Sequence, residues 1–142
     1  MKYEFLKKTF DKARSRGWDR VYWAVDIHDT VMPSSYDGMS PLYEEAEGVL
    51  KYLSEREDCV LILFSCLTSE DEDKYLRYFE SKGIHFDYVN ENPEIENTSY
   101  ASFDKKFYTN FYLDDKAGFD YQFDWNSIYC AMQNIPTLCE NI

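Results

Sequence analysis

The stretch Val21–Val31, VYWAVDIHDTV, decides how this chain of 142 residues is interpreted. It begins with Val, Tyr, Trp and Ile side chains of high β propensity, which is typical of a strand covered on both faces in a parallel sheet. Asp26, His28 and Asp29 cluster at its carboxyl end. Ligands bind at that end of the strands in open α/β sheets, so the cluster is a candidate site. The alternative is that these residues only turn the chain, because Asp is common in turns.

The composition predicts one globular domain over residues 1–142. A chain of 142 residues and 17.0 kDa is long enough for one core and too short for two comfortable ones. Aromatic residues make up 18% of the chain, which favours a packed globule over disorder. The net charge of −12 repels phosphate backbones, so we expect no nucleic-acid partner.

Cysteine usage and hydropathy predict a soluble, cytoplasmic protein that does not contact a membrane. The first residues have lysines among the apolar side chains, unlike a signal peptide, and no apolar stretch is long enough to cross a bilayer. The cysteines show neither a C-x-x-C pair nor a Cys/His cluster at zinc spacing. We therefore expect ordinary reduced thiols at the four positions Cys59, Cys66, Cys130 and Cys139.

Hydrophobic spacing predicts four helices. The first covers residues 3–14 and packs on the core, and the second begins at Ser40-Pro41 with acidic residues close behind. The third begins at Ser69, whose spacing to Glu72 is that of a capping box. The last covers residues 125–135, with Asp124 as its candidate cap.

Four strands alternate with these helices. Besides the strand at Val21, the apolar run Cys59–Phe64 and the segments 84–89 and 107–113 have strand character, whereas residues 90–102 read as a loop. This order predicts an α/β fold with a mainly parallel sheet and helices on both faces. Polar residues would then converge at one edge of the sheet.

The converging set is Asp26, Ser65 and Asp114-Asp115, with Lys105 or Lys106 just before the last strand. Such a set suits phosphoryl transfer. One carboxylate can attack phosphorus, others can hold Mg²⁺, and a hydroxyl and an ammonium can bind the phosphoryl oxygens.

In their order and placement these residues resemble the four motifs of the haloacid dehalogenase (HAD) superfamily of phosphohydrolases. The first motif is D-x-D-x-T or a close variant, and Asp26 and Thr30 occupy its first and last positions. The second, an apolar strand ending in Ser or Thr, is matched by CVLILFS up to Ser65, and the last, an acidic pair after an apolar strand, by YLDD up to Asp115. The resemblance implies a Rossmann-like three-layer sandwich.

The resemblance also implies a role for each residue. Asp26 would be the nucleophile of a Mg²⁺-dependent phosphatase and Ser65 would bind the phosphoryl group. Lys106, with Lys105 as the alternative, would neutralise the phosphate charge. The metal would be held by Asp26, the backbone carbonyl of His28, Asp114 and Asp115, with Asp120 in support. A satisfied turn hydroxyl at Ser65 and solvated surface lysines are the competing interpretations.

His28 departs from the family pattern, because most phosphatases of this family have a second Asp at that position. An imidazole titrates near neutral pH and can act as general acid and then base. Alternatively, His28 only packs beside the acidic cluster. Two functions follow: a phosphatase that uses an aspartyl-phosphate, or a catalytically silent phosphate- and metal-binding or regulatory module.

A second departure from the family is the size of the chain. The intervals 31–40 and 90–102 are too short for a cap domain, so we expect no separate cap and an open site. By family analogy the partner is a phosphorylated substrate, and neither its identity nor the oligomeric state follows from the sequence.

Overall fold

A computed structural model describes residues 3–35 and 39–138. The helices are α1 (Tyr3–Ser15), α2 (Glu44–Glu55), α3 (Ser69–Ser81) and α4 (Asp124–Gln133), with a short 3₁₀ helix at Asp115–Ala117. The strands are β1 (Val21–Val25), β2 (Cys59–Leu63), β3 (Tyr88–Val89) and β4 (Phe111–Leu113). Helices and strands follow one another in the predicted order. The prediction of a reduced thiol at Cys139 lies outside the described residues.

The sheet is parallel throughout, with the strand order β3-β2-β1-β4. The two central strands pair from Val21 with Cys59 to Val25 with Leu63, and every one of their residues is buried. Continuous burial on both faces explains why both segments are apolar without alternation. The predicted fold class, a Rossmann-like α/β sandwich with a mainly parallel sheet, is confirmed.

The outer strands are shorter than predicted. Strand β3 has two residues instead of the predicted segment 84–89, and β4 has three instead of 107–113. Asn110, directly before β4, pairs with β1 partly through its side chain. Its Oδ1 accepts from the Tyr22 N–H at 2.8 Å, where a backbone carbonyl would accept in a regular strand, and its N–H donates to the Tyr22 carbonyl at 2.9 Å. Before β3, Phe86 packs against Phe79 of α3 at a ring distance of 4.9 Å. These residues contact the sheet or a helix without extending the strands.

The two faces of the sheet are covered differently. Side chains of all four helices share one core cluster with the sheet face that carries Trp23 and Leu61. The opposite face, with Tyr22 and Ile62, packs against side chains of the segment 90–108. In the described residues this segment, and not a helix, forms the third layer of the sandwich, so the predicted helices lie on one face only.

The connection from β3 to β4 explains this difference. It runs back across the sheet, and a right-handed crossover in that direction lies on the face opposite to α2 and α3. The segment is polar and contains Pro93, so it forms no regular helix. Glu94 ties it to the sheet by accepting hydrogen bonds from Tyr22 Oη at 3.1 Å and Tyr88 Oη at 2.6 Å.

Three predicted helix starts are wrong. Helix α2 begins at Glu44 rather than at Ser40-Pro41, because the Tyr43 N–H donates to the Val31 carbonyl at 2.9 Å and the chain before it stays non-helical. Helix α3 is capped by Thr68, whose Oγ1 accepts from the Asp71 N–H at 3.4 Å, and not by Ser69. In α4, Asp124 is the first helical residue and not the cap.

No further domain is inserted between the elements in residues 3–35 and 39–138. Within the same ranges, no helix has the length and apolar character needed to cross a membrane.

Candidate functional site

Three carboxylates meet at the carboxyl end of the sheet. Asp26 follows β1, and Asp114 and Asp115 follow the neighbouring strand β4. One oxygen from each carboxylate lies within 4.8 Å of the others. The strand ends are joined directly, since the Asp26 N–H donates to the Leu113 carbonyl at 2.9 Å. The structure thus brings together three residues that the sequence placed in one site.

Thr30 holds this cluster together from a fully buried position. Its Oγ1 donates to Asp26 Oδ2 at 3.2 Å and accepts from the Asp115 N–H at 3.1 Å. Its carbonyl accepts from Nε1 of the buried Trp125 at 2.9 Å. Asp29 has a φ of 61°, and this left-handed residue turns the chain between Asp26 and Thr30. Thr30 therefore fixes the distance between the two strand ends.

The carboxylates repel one another in a half-buried setting. Burial and then repulsion by Asp114 raise the pKa of Asp26 to about 6, and a hydrogen bond with Asp115 adds to the shift. No Lys or Arg among the described residues forms an ion pair with any of the three. Two or three carboxylate oxygens with open space beside them are a donor set that suits Mg²⁺, which keeps water and substrate phosphate as its other ligands. The residues present fit such an ion.

A cleft of about 280 Å³ opens beside the cluster. Its walls come from the loops after β1, β2 and β4, as expected of the carboxyl edge of a parallel sheet. The lining residues that bear on chemistry are Asp26, His28, Ser65, Cys66, Asp115 and Lys116. Asp114 is not among the lining residues, and its Oδ1 accepts from the Lys116 N–H at 2.9 Å and caps the 3₁₀ helix.

Ser65 lies in the cleft as a tightly held turn residue. Its N–H donates to Asn90 Oδ1 at 2.9 Å, and its carbonyl accepts from Asn90 Nδ2 at 2.6 Å. Its Oγ accepts from the Leu67 N–H at 3.2 Å. Accepting this bond leaves the hydroxyl proton to donate into the cleft. The turn role and the phosphate-binding role are therefore compatible.

His28 is half-buried in the cleft wall, and its ring is held by a neighbour that the sequence did not reveal. The Nε2 atom lies 3.1 Å from Tyr75 Oη, and the two rings meet edge to face at 5.9 Å. Burial, and then the charge of Asp71, raises the pKa of Tyr75, so its hydroxyl stays protonated and can donate or accept. The sequence indicates Tyr75 only as an apolar-face residue of α3.

The structure places a different lysine in the cleft from the one that the resemblance implies. Lys106 is exposed and outside the cleft lining, with Nζ 5.8 Å from the ring centre of Tyr112, two residues before Asp114. Lys105 lines another cavity, of about 450 Å³, against the segment 90–107. Lys116 lines the cleft itself. The signal for Lys116 was its position directly after the acidic pair.

Two further acidic residues have structural partners. The Asp29 carboxylate accepts from the Ser34 N–H at 3.2 Å and from Ser34 Oγ at 2.8 Å. Asp120 Oδ1 accepts from the Gln122 N–H at 2.9 Å, while the Asp120 N–H donates to Asp124 Oδ2 at 2.7 Å. Asp120 thus closes the turn before α4 and does not line the cleft.

Comparison with known proteins bears on the fold and not on the chemistry. No protein-family model matches this chain, and no curated protein matches it. Among solved structures it is similar to one described as the conserved protein coded by locus from Bacteroides thetaiotaomicron. The TM-score is 0.65 at 22% sequence identity, over 86% of this chain and 99% of that one. A likeness at this identity shows the shared α/β architecture.

Proposed function

We propose that this chain is a Mg²⁺-dependent phosphohydrolase of haloacid dehalogenase type that works through an aspartyl-phosphate on Asp26. The observation that carries the proposal is the carboxylate cluster, whose oxygens lie within 4.8 Å of one another at the carboxyl end of adjacent strands. Asp26, Asp114, Asp115 and the backbone carbonyl of His28 would hold the ion. When bound, Mg²⁺ neutralises negative charge and polarises the phosphoryl group.

Asp26 is the group that attacks. Thr30 Oγ1 donates to Asp26 Oδ2, and Oδ1 would form the bond to phosphorus. As that bond forms, the bond from phosphorus to the leaving oxygen breaks, and His28 gives its proton to that oxygen. Water then attacks phosphorus and gives a proton to His28, and the bond to Asp26 breaks. The products are the alcohol, inorganic phosphate and regenerated Asp26.

Asp26→Asn tests this proposal, because the amide cannot form the acyl-phosphate. We expect turnover of p-nitrophenyl phosphate with Mg²⁺ to fall more than about 10³-fold while the circular dichroism spectrum is unchanged. Asp73→Asn, which removes an exposed acid of α3 outside the cleft lining, is the matched control and should keep its activity. Unchanged turnover in Asp26→Asn would remove the nucleophile assignment.

Two lysines compete for the phosphate-binding role. Lys116 lines the cleft, whereas Lys106 lies over Tyr112 and would have to swing its flexible side chain toward Asp114. We expect Lys116→Met to raise KM or lower kcat about tenfold or more, as the loss of a charged phosphate contact does. Parallel kinetics of Lys106→Met decide between them, Lys105→Met tests the remaining alternative, and Lys74→Met, at an exposed lysine of α3 outside the cleft lining, is the control.

A silent binding module is the second candidate, and the contact between His28 and Tyr75 favours it. A ring held at Nε2 by a tyrosine of α3 is less free to deliver a proton than an unrestrained one. In that case the protein binds Mg²⁺ and phosphate by calorimetry but hydrolyses no phosphate ester in a broad panel. His28→Asp would then gain activity, whereas in a working phosphatase that relies on His28 it would not.

A further inference from the structure

A second cavity lies at the opposite end of the sheet from Asp26. It has a volume of about 400 Å³, and its walls include Trp18, Tyr22, Phe103 and Tyr108, near the amino ends of β1 and β4. The five residues of β1 separate it from the carboxylate cluster by about 16 Å. The cavity is therefore a place distinct from the proposed catalytic site.

The aromatic walls of this cavity are held in place by packing and hydrogen bonds. Tyr108 packs edge to face against Tyr22 and against Phe103, with ring centres 6.0 Å apart in each pair. The Tyr22 hydroxyl donates to Glu94 at 3.1 Å, and the Tyr108 hydroxyl accepts from Asn110 Nδ2 at 3.3 Å. Rings fixed in this way bind a ligand without first losing rotational freedom.

Trp18 already binds a cation through its ring. Its side chain is 42% exposed, and the guanidinium carbon of Arg16 lies 5.1 Å from the ring centre. Arg16 does not line the cavity. The contact with Arg16 shows that the Trp18 ring can bind a cation, and the negative potential of an aromatic ring extends from both faces.

The charged residues of the cavity leave an excess of negative charge. Asp19, Glu96 and Arg20 line it, but Arg20 Nε lies 3.4 Å from Glu94 Oε1, so its charge is largely compensated. In the described part of the chain, neither Asp19 nor Glu96 forms an ion pair. Aromatic faces and two uncompensated carboxylates both attract cations.

We propose that this cavity binds an organic ammonium ion, of the quaternary or methylated type. The rings of Trp18, Tyr22, Phe103 and Tyr108 bind its alkyl groups, and the carboxylates of Asp19 and Glu96 stabilise its charge. An ammonium of this kind is carried either by a free small molecule or by a methylated lysine of a peptide, and the two sources share the same recognition chemistry.

Titration of the full chain with choline chloride tests the proposal by ¹H–¹⁵N NMR of the tryptophan indoles. Trp23 and Trp125 are fully buried, so the Trp18 resonance is the reporter. We expect it to shift saturably with choline and not with equal sodium chloride. The neutral isostere 3,3-dimethylbutan-1-ol should bind at least about fivefold more weakly than choline, because it lacks the positive charge. Equal binding of the isostere, or no shift of Trp18, overturns the proposal.

Charge-removing variants locate the site. Asp19→Asn/Glu96→Gln should weaken choline binding about fivefold, whereas Glu70→Gln/Asp73→Asn, on the exposed face of α3, should not change it. All four residues are exposed, so the variants should fold. Unchanged affinity in the first variant overturns the proposal. A trimethyllysine peptide that binds more tightly than choline assigns the ligand to a protein, and weaker binding assigns it to a small molecule.

Discussion

Two acidic sites at opposite ends of the central strands are built in opposite ways. Asp58, directly before β2, is fully buried, and Arg56 binds it through two hydrogen bonds, Nε to Oδ1 at 2.9 Å and Nη2 to Oδ2 at 2.8 Å. Asp26, directly after β1, is half-buried and faces Asp114 and Asp115 with no such partner among the described residues. Asp58 has its cation within the chain, whereas the described residues place two further acids and the hydroxyl of Thr30 beside Asp26.

The Arg56–Asp58 pair is an example of a buried carboxylate with a structural role in this fold. The Arg56 Nη1 also donates to the carbonyls of Met132 and Ile135, at 3.1 and 2.9 Å, and the Leu138 N–H donates to Asp58 Oδ2 at 3.1 Å. The pair thereby ties the end of α4 to the start of β2. The Asp26 cluster lacks this compensation, which supports an external cation as its partner.

Breaking the internal pair should have the largest effect on stability. Arg56→Met leaves Asp58 buried and unpaired, so we expect the free energy of unfolding to fall by about 3–5 kcal/mol. Urea unfolding followed by circular dichroism measures this change. Lys7→Met, which breaks an exposed i,i+4 pair with Asp11, is the control and should cost about 0.5 kcal/mol or less. Similar stability of Arg56→Met and the wild type would contradict the structural role.

Supplying the missing cation should have the next largest effect. Mg²⁺ at 100 times its Kd should raise the free energy of unfolding by about 2.7 kcal/mol, because it binds only the folded cluster. Thermal unfolding with MgCl₂, against NaCl of equal ionic strength, measures the gain. Asp114→Asn/Asp115→Asn should lose it. Equal stabilisation of that variant and the wild type would place the ion elsewhere.

The features that the sequence predicted correctly follow from burial and from parallel pairing. A strand covered on both faces must be apolar throughout, so β1 and β2 could be located almost to the residue. Carboxyl ends of adjacent parallel strands converge, so the meeting of Asp26 with Asp114 and Asp115 followed from the order of elements. The first prediction depends on the apolar pattern and the second on the order of the strands, and neither depends on where the tip of a side chain points.

The features that the sequence did not predict depend on where side-chain tips point between elements. The ring of Tyr75 packs in the core while its hydroxyl contacts His28. The helical spacing of apolar residues predicts that the ring is buried but does not predict which residue the hydroxyl contacts. Lys116 enters the cleft because the 3₁₀ helix turns the chain after Asp115. The side chain of Asn90 forms hydrogen bonds with both the N–H and the carbonyl of Ser65. No sequence pattern indicates this contact.

Removing the hydroxyl of Thr30 should have a smaller effect on stability. Thr30→Val keeps the shape of the side chain but leaves the Asp115 N–H without its acceptor and removes one hydrogen-bond donor from Asp26. We expect a loss of about 1–2 kcal/mol in chemical denaturation. Thr30→Ser, which keeps the hydroxyl, should retain most of the wild-type stability. Equal losses in the two variants would mean that the methyl packing matters and the hydrogen bonds do not.

The smallest expected effect is the pH dependence of the metal-free protein. Folding raises the pKa of Asp26 from 3.8 to about 6 through burial and the charge of Asp114, so between these values the folded chain holds a proton that the unfolded chain has lost. Stability therefore falls as pH rises from about 4 to 6. Asp26 is half-exposed, so solvent screening limits the change to the order of 1 kcal/mol.

Denaturant unfolding in EDTA at pH 4.5 and 7 measures this change, and Asp26→Asn provides the matched variant because it cannot titrate. The difference in stability between wild type and Asp26→Asn should grow toward neutral pH in EDTA, in favour of the variant. This difference should shrink or reverse with MgCl₂, because Mg²⁺ binds the ionised carboxylate of Asp26 and stabilises the wild type. The ion then neutralises Asp26 as Arg56 neutralises Asp58. If the stability difference between the two proteins stays constant across this pH range, the carboxylates of the cluster do not repel one another measurably. The contrast with the Arg56–Asp58 pair would then give no support to a cation site at Asp26.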